Sequence, residues 1–170
     1  MKALTLTQPW ATLVAIGAKG IETRSWKTSY RGPLAIHAAK GFPKYARKFT
    51  TLPECYEAVR KCYAQNLKGV TAYPLSAVVA TCRLIAIHPV EEVRDELTTQ
   101  ELSLGNYDSG RYAWVLDDVR QLPEPIPAKG AQSLWEWKEP SAPRVQRWTR
   151  RERESSIAPN KTLDSAIDSR

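Results

Sequence analysis

Apolar residues change their spacing repeatedly along the first forty positions, and each change marks an element. Residues 3 to 7, ALTLT, alternate as a half-buried strand does. Trp10, Leu13, Val14 and Gly17 then fall at i, i+3, i+4 and i+7, one face of an amphipathic helix. Thr7 or Gln8 can cap that helix, Pro9 suits its first turn, and Gly17 stands where a left-handed residue commonly ends one. From Ile21 the period returns to two. Ile21, Thr23 and Ser25 share one strand face, while Glu22, Arg24 and Trp26 share the other. Lys19 is held at the corner between helix and strand, beside Gly20.

The segment GPLAIHAAK continues as a strand with Leu34, Ile36 and Ala38 on the core side and Ala35, His37 and Ala39 on the other. Residues 43 to 67 read as a helical insertion in two pieces, with Pro53 opening the second. Its expected buried stripe is Leu52, Cys55, Tyr56, Val59, Cys62 and Tyr63, and Lys44, Arg47, Lys48, Arg60, Lys61 and Lys68 form a basic flank. A long β-branched strand, PLSAVVATCRLIAIHPV, follows, then a helical turn over 91 to 97 and a loop over 98 to 110. RYAWVLDDVRQL is the next strand, with a turn or bulge at Asp117 and Asp118. The alternating prolines of LPEPIPAKG predict an extended edge segment, and SLWEWK a closing strand in which Trp135 acts as a plug or a stacking wall. The fold class is mixed α+β, mainly β.

Composition shifts at Pro140. Residues 140–170 have few apolar residues and no sustained period, and are expected to be a flexible basic tail outside a domain of residues 1–139. The formal net charge of +7 is spread over both parts and suits an anionic partner. Three cysteines without CxxC spacing, and only two histidines, His37 and His88, argue against a disulfide framework and a metal site. No cofactor is expected. No apolar run approaches the length of a membrane span and MKALTLTQPW does not read as a signal peptide, so the expected location is cytoplasmic.

The candidate chemistry lies between Trp10 and Trp26. Trp10 or Trp26 could stack on a base, Arg24 offers a two-pronged donor, and Lys19 can meet a phosphate or a developing oxyanion. Arg31 follows in the loop as a phosphate contact, and His37 is a candidate ligand contact or base on the next strand. Gly17, Lys19, Glu22 and Arg24 together spell GxKxxExR, which resembles the signature of the ASCH domain family. TQPWATLVAIG and ETRSWKTSYRGPLAIHA are similar to its bacterial members and their eukaryotic single-domain relatives.

The resemblance covers about residues 2 to 139. It implies a PUA-like small β-barrel with a helix packed over one end and a cleft between helix and barrel that binds single-stranded RNA or a modified nucleoside. Other members are weak ribonucleases. One subfamily hydrolyses N4-acetylated cytidine with a lysine, a threonine nucleophile and a glutamate. Lys19 matches that lysine, whereas Glu22 stands in place of the threonine. Three readings follow. The chain is a binding module, an amidohydrolase in which Lys19 and Glu22 are catalytic, or a protein-interaction module whose basic tail recruits a partner. Glu91, Glu92, Glu96 and Glu101 are equal candidates for a second carboxylate over the cleft.

Overall fold

The computed structural model describes residues 1–65 and 73–140, the side chains of 62–65 excepted. The expectations for Cys62, Tyr63, Lys68 and the tail beyond Pro140 lie outside these residues. Met1–Lys138 form one compact unit, and Glu139–Arg170 belong to a second.

Six strands and five short helices make up the first unit. In chain order they are β1 (Lys2–Leu6), α1 (Trp10–Ala15), β2 (Ile21–Arg24), β3 (Gly32–Ala38), α2 (Lys44–Phe49), α3 (Pro53–Gln65), β4 (Ala77–Pro89), α4 (Val90–Val93), α5 (Thr99–Ser103), β5 (Tyr112–Pro127) and β6 (Leu134–Glu136). A 3-10 turn over Arg94–Glu96 follows α4. The strands form one sheet in the order β2-β5-β4-β3-β1-β6, with β1 and β3 parallel and the other pairs antiparallel. Three register shifts between the long strands β4 and β5, one of them beside Asp118 at φ 48°, bend the pair and curl the sheet into a half-barrel. The expected bulge at Asp117 and Asp118 is therefore present inside a continuous strand.

Alternation along the strands builds a core on each sheet face. Leu4, Leu6, Leu34, Ile36, Leu84 and Trp114 fill the inner face with Ala11 and Val14 of α1, while Ala3, Ala35, Val78 and Trp137 form a smaller cluster on the outer face. Trp135 packs on that outer cluster, edge-on to His37, so it seals the outside of the sheet and not its interior. Helix α1 is covered on two sides. Ala11, Val14 and Ala15 meet the sheet, and Leu13 turns away into a cluster with Cys55 and Ala58 of α3 and with Leu104. This explains why five of its six residues are buried.

Two expectations change. Leu52 and Tyr56 are exposed, and among the described side chains α3 presents Cys55, Ala58 and Val59 to the cluster around Leu13. The segment from 98 to 110 is not all loop, because Thr98 caps α5 by accepting a hydrogen bond from the Glu101 N–H at 3.1 Å. The proline-rich segment does lie at an edge. β2 pairs only with Tyr112–Val115, so the remainder of β5, including Pro123, Pro125 and Pro127, has β4 on one side alone.

Because Leu13 is fully buried where α1 meets the helical insertion, Leu13→Ala should lower the free energy of unfolding by about 2–5 kcal/mol, read from urea denaturation.

Candidate ligand-binding cleft

The cleft is built from the turn that ends α1. Gly17 adopts φ +73° and its N–H bonds to Val14 O, while the N–H groups of Ala18 and Lys19 both reach back to Leu13 O. This tight exit turns the Lys19 side chain inward, leaving it 1% exposed. Its ammonium donates to Glu101 Oε1 at 2.7 Å and to the Tyr107 hydroxyl at 2.8 Å. Tyr107 in turn donates to the same carboxylate, whose second oxygen accepts the Gly20 N–H at 2.8 Å. Burial, reinforced by the Glu101 carboxylate, pushes the Tyr107 phenol far above its usual range, so it remains a hydrogen donor. Gly105 passes close over this group, and a Cβ there would lie 2.6 Å from Lys19 Nζ and 2.7 Å from the Tyr107 ring.

Strand β2 supplies the next charges. Arg24 Nε lies 3.2 Å from Glu22 Oε1, and its Nη2 donates to Thr5 O at 2.8 Å. Arg111, just before β5, donates through Nη2 to Thr23 O at 2.9 Å. Each guanidinium is thus anchored to a backbone carbonyl through one arm. Among the described residues the buried Nε of Arg24 and of Arg111 makes no hydrogen bond. Burial raises the Glu22 carboxyl above its usual range, against the opposing pull of Arg24, Lys19 and Arg111.

Lys19, Glu22, Arg24 and Arg111 line a cleft of about 340 Å³, within the range typical of small-molecule sites. Trp10 and Tyr45 form its aromatic rim. Trp10 donates its indole N–H to Leu104 O at 2.9 Å and packs 5.1 Å from Phe49, which fixes the ring. Tyr45, on α2, is 66% exposed and free to meet a ligand.

The structure therefore brings Trp10, Lys19, Glu22 and Arg24 together around one cleft. Trp26, Arg31 and His37 are not among its lining residues. Strand β2 ends at Arg24, so the alternation that would place Trp26 beside Glu22 stops short; Trp26 packs edge-on against Trp114, 4.7 Å away. Arg31 donates to the carbonyls of Thr28 and Tyr30 in its own loop. His37 lies on the other face of β3, with Nε2 on Ala128 O at 3.0 Å and Nδ1 3.2 Å from Thr5 Oγ1. Arg111 and Tyr45 are additions to the cleft, and Tyr107 to the hydrogen-bonded group around Lys19. Of the four candidate glutamates Glu101 is the one on Lys19, and a local signal for it is Thr98-x-x-Glu101, a capping-box spacing that places it in the first turn of a helix. Among the described residues, no group of three His, Cys, Asp or Glu could hold a metal ion, and no helix is long and apolar enough to cross a membrane.

Two predictions follow from the charges. Glu101→Gln removes the carboxylate paired with a buried ammonium, and should destabilise the fold by about 3–5 kcal/mol in urea denaturation. For Glu22 the folded carboxyl holds its proton at pH values where the unfolded one, near 4.5, has lost it. Its contribution is fully present below pH 4.5 and is lost as pH rises through the folded value. Glu22→Gln should therefore flatten the fall in stability across that window, measured as unfolding midpoints against pH.

The sequence model of the ASCH domain matches residues 4–126. Activating signal cointegrator 1 of Mus musculus is 24% identical over 132 residues, and that of Homo sapiens 23% identical over 132 residues. Each alignment covers 78% of this chain and 21% of the relative, so the chain spans about a fifth of the length of these proteins. Among solved structures, ASCH from Zymomonas mobilis gives a TM-score of 0.48 at 15% identity, covering 81% of this chain and 87% of that one. Its S128A mutant gives 0.47 at 16% identity, covering 81% and 88%. The match to the family's sequence model extends over most of the chain and includes the Lys19–Arg24 turn and strand: the protein belongs to the ASCH domain family.

Proposed function

We propose that the cleft binds a base of single-stranded RNA or a modified nucleoside. The observation that carries this reading is the pairing of two backbone-anchored guanidiniums, Arg24 and Arg111, with the aromatic rim of Trp10 and Tyr45. An anchored guanidinium loses little further freedom on meeting a phosphate or a base edge, and a base stacked on an aromatic ring gains about 1–3 kcal/mol. Glu22 offers carboxyl oxygens to the donor groups of a base edge. Lys19 is the positioning residue of the group, its charge matched by Glu101.

A second reading, hydrolysis of an N4-acylated cytidine, is favoured by one observation: Lys19 and Glu22 line the same cleft, and Glu101 is paired with Lys19. In that reaction water adds to the amide carbonyl, losing its proton to the Glu101 carboxylate. The C–N bond then breaks as Glu22 gives its proton to the leaving nitrogen.

Tyr45→Ala and Arg24→Ala separate binding from mere charge attraction. In the binding reading Tyr45→Ala weakens a short single-stranded RNA about tenfold or more at every salt concentration. Arg24→Ala also weakens it and lowers the slope of log affinity against log salt by about 0.7. RNA affinity unchanged in both variants sinks the reading. Incubation with N4-acetylcytidine tests the second one: release of cytidine and acetate, lost in Lys19→Ala, would establish turnover.

A further inference from the structure

A second recess adjoins the cleft across strand β1. It has a volume of about 800 Å³ and a mouth flanked by the exposed Lys40 and Lys129, with Ser76 and Gln132 also on its wall and no Asp or Glu among its lining residues. Its floor is a hydrogen-bonded group. His37 Nε2 faces the Ala128 carbonyl at 3.0 Å, and since a carbonyl only accepts, that nitrogen carries the proton. Thr5 Oγ1 accepts the Trp135 indole N–H at 3.1 Å, and its one proton is shared between Ala131 O at 3.0 Å and His37 Nδ1 at 3.2 Å. Burial lowers the His37 pKa, in keeping with a neutral ring. His37 and Thr5 are therefore fixed, and the two lysines are the charged groups left to meet an occupant of a mainly apolar recess.

Thr5 belongs to both sites. Its carbonyl accepts Arg24 Nη2 at the edge of the first cleft, while its hydroxyl is part of the floor of the second. From one pocket to the other the positive groups are Arg111, Arg24, Lys40 and Lys129, besides Lys19, which is paired with Glu101, and Glu22 is the one carboxylate among the lining residues of either. A free nucleoside in the first cleft has no use for two further lysines beyond Thr5, whereas a strand has a phosphate after every base.

We propose that the recess over His37 is a second nucleotide subsite, and that the partner is a single RNA strand at least two nucleotides long, crossing Thr5 with its backbone toward Lys40 and Lys129. This rests on the cleft reading above, and names its ligand as a strand instead of a nucleoside. Single strands suit such a path because their unstacked bases can be turned into separate pockets while cations follow the backbone.

The test compares a mononucleotide, uridine monophosphate, with a fluorescent hexauridylate, each titrated at several salt concentrations. The proteins are wild type, Lys40→Ala/Lys129→Ala, Arg24→Ala, and a charge control, Arg83→Ala/Lys138→Ala, whose exposed residues line neither pocket. The expected result is hexanucleotide binding weakened about tenfold in Lys40→Ala/Lys129→Ala, with the log–log salt slope reduced by about 1.4, two single-strand phosphates' worth. Mononucleotide binding should be unchanged in that variant, and the charge control should resemble wild type. The proposal is overturned if the hexanucleotide is unaffected, if the control loses as much, or if mononucleotide and hexanucleotide fall together. Arg24→Ala weakening both ligands while Lys40→Ala/Lys129→Ala weakens neither would remove the second subsite and leave the cleft reading intact. Arg24→Ala affecting neither ligand would overturn the cleft reading and the path with it.

Discussion

The site depends on a buried ammonium that has found its counter-charge. Lys19 is almost wholly withdrawn from water, a position that costs several kcal/mol for an unpaired charge. Glu101, 82 positions away in sequence, offsets that cost with one oxygen and holds the Gly20 N–H with the other. Tyr107 closes the group as a donor to the carboxylate and an acceptor from the ammonium. Three stretches of chain that share no strand pairing are thereby held at one point: the exit of α1, the first turn of α5 and the loop before β5. The Glu101 side chain is the one a capping box would return to its own helix N-terminus, and here it is directed to a different segment.

The electrostatic character of the cleft follows from that pairing. With Lys19 matched by Glu101, the charges left to meet a ligand are Arg24 and Arg111 against Glu22. Burial raises the Glu22 carboxyl above its usual range, against the pull of the neighbouring cations. Lys19, which the linear motif offers as an anion contact, is paired with Glu101 in the structure, and Arg24 and Arg111 line the cleft beside it.

What could be read from the sequence was the part encoded locally. The helix of Trp10 to Gly17, the period-two strand from Ile21, and the two-faced strand holding Leu34 and His37 each carry their pattern within a few residues, and each formed as that pattern predicts. Strand alternation failed at Trp26 because β2 stops two residues earlier, and period alone does not mark a strand end. Leu52 and Tyr56 look like core at helical spacing, yet both are exposed, while Cys55 and Ala58 meet the cluster around Leu13. Arg111 and Tyr45 join the cleft, and Tyr107 the group around Lys19, through tertiary contacts across tens of residues. Glu101 was one of four equivalent glutamates until packing chose it. Of the long-range additions, only the Thr98–Glu101 cap left a trace in the linear sequence.

The proline-bearing half of β5 has a bearing on how this chain behaves among its own copies. Val78 pairs with Ile126, and the Ala128 N–H bonds to Ser76 O. Pro123, Pro125 and Pro127 have no N–H to offer, and the first two lie in the register shift between the Gln121 and Ile126 pairings. A strand approaching this margin would meet three positions without a donor. The curled sheet thus ends on this side in a margin that resists strand addition, and a protein that leaves a long strand half-paired is protected from edge-to-edge aggregation by the spacing of three rings.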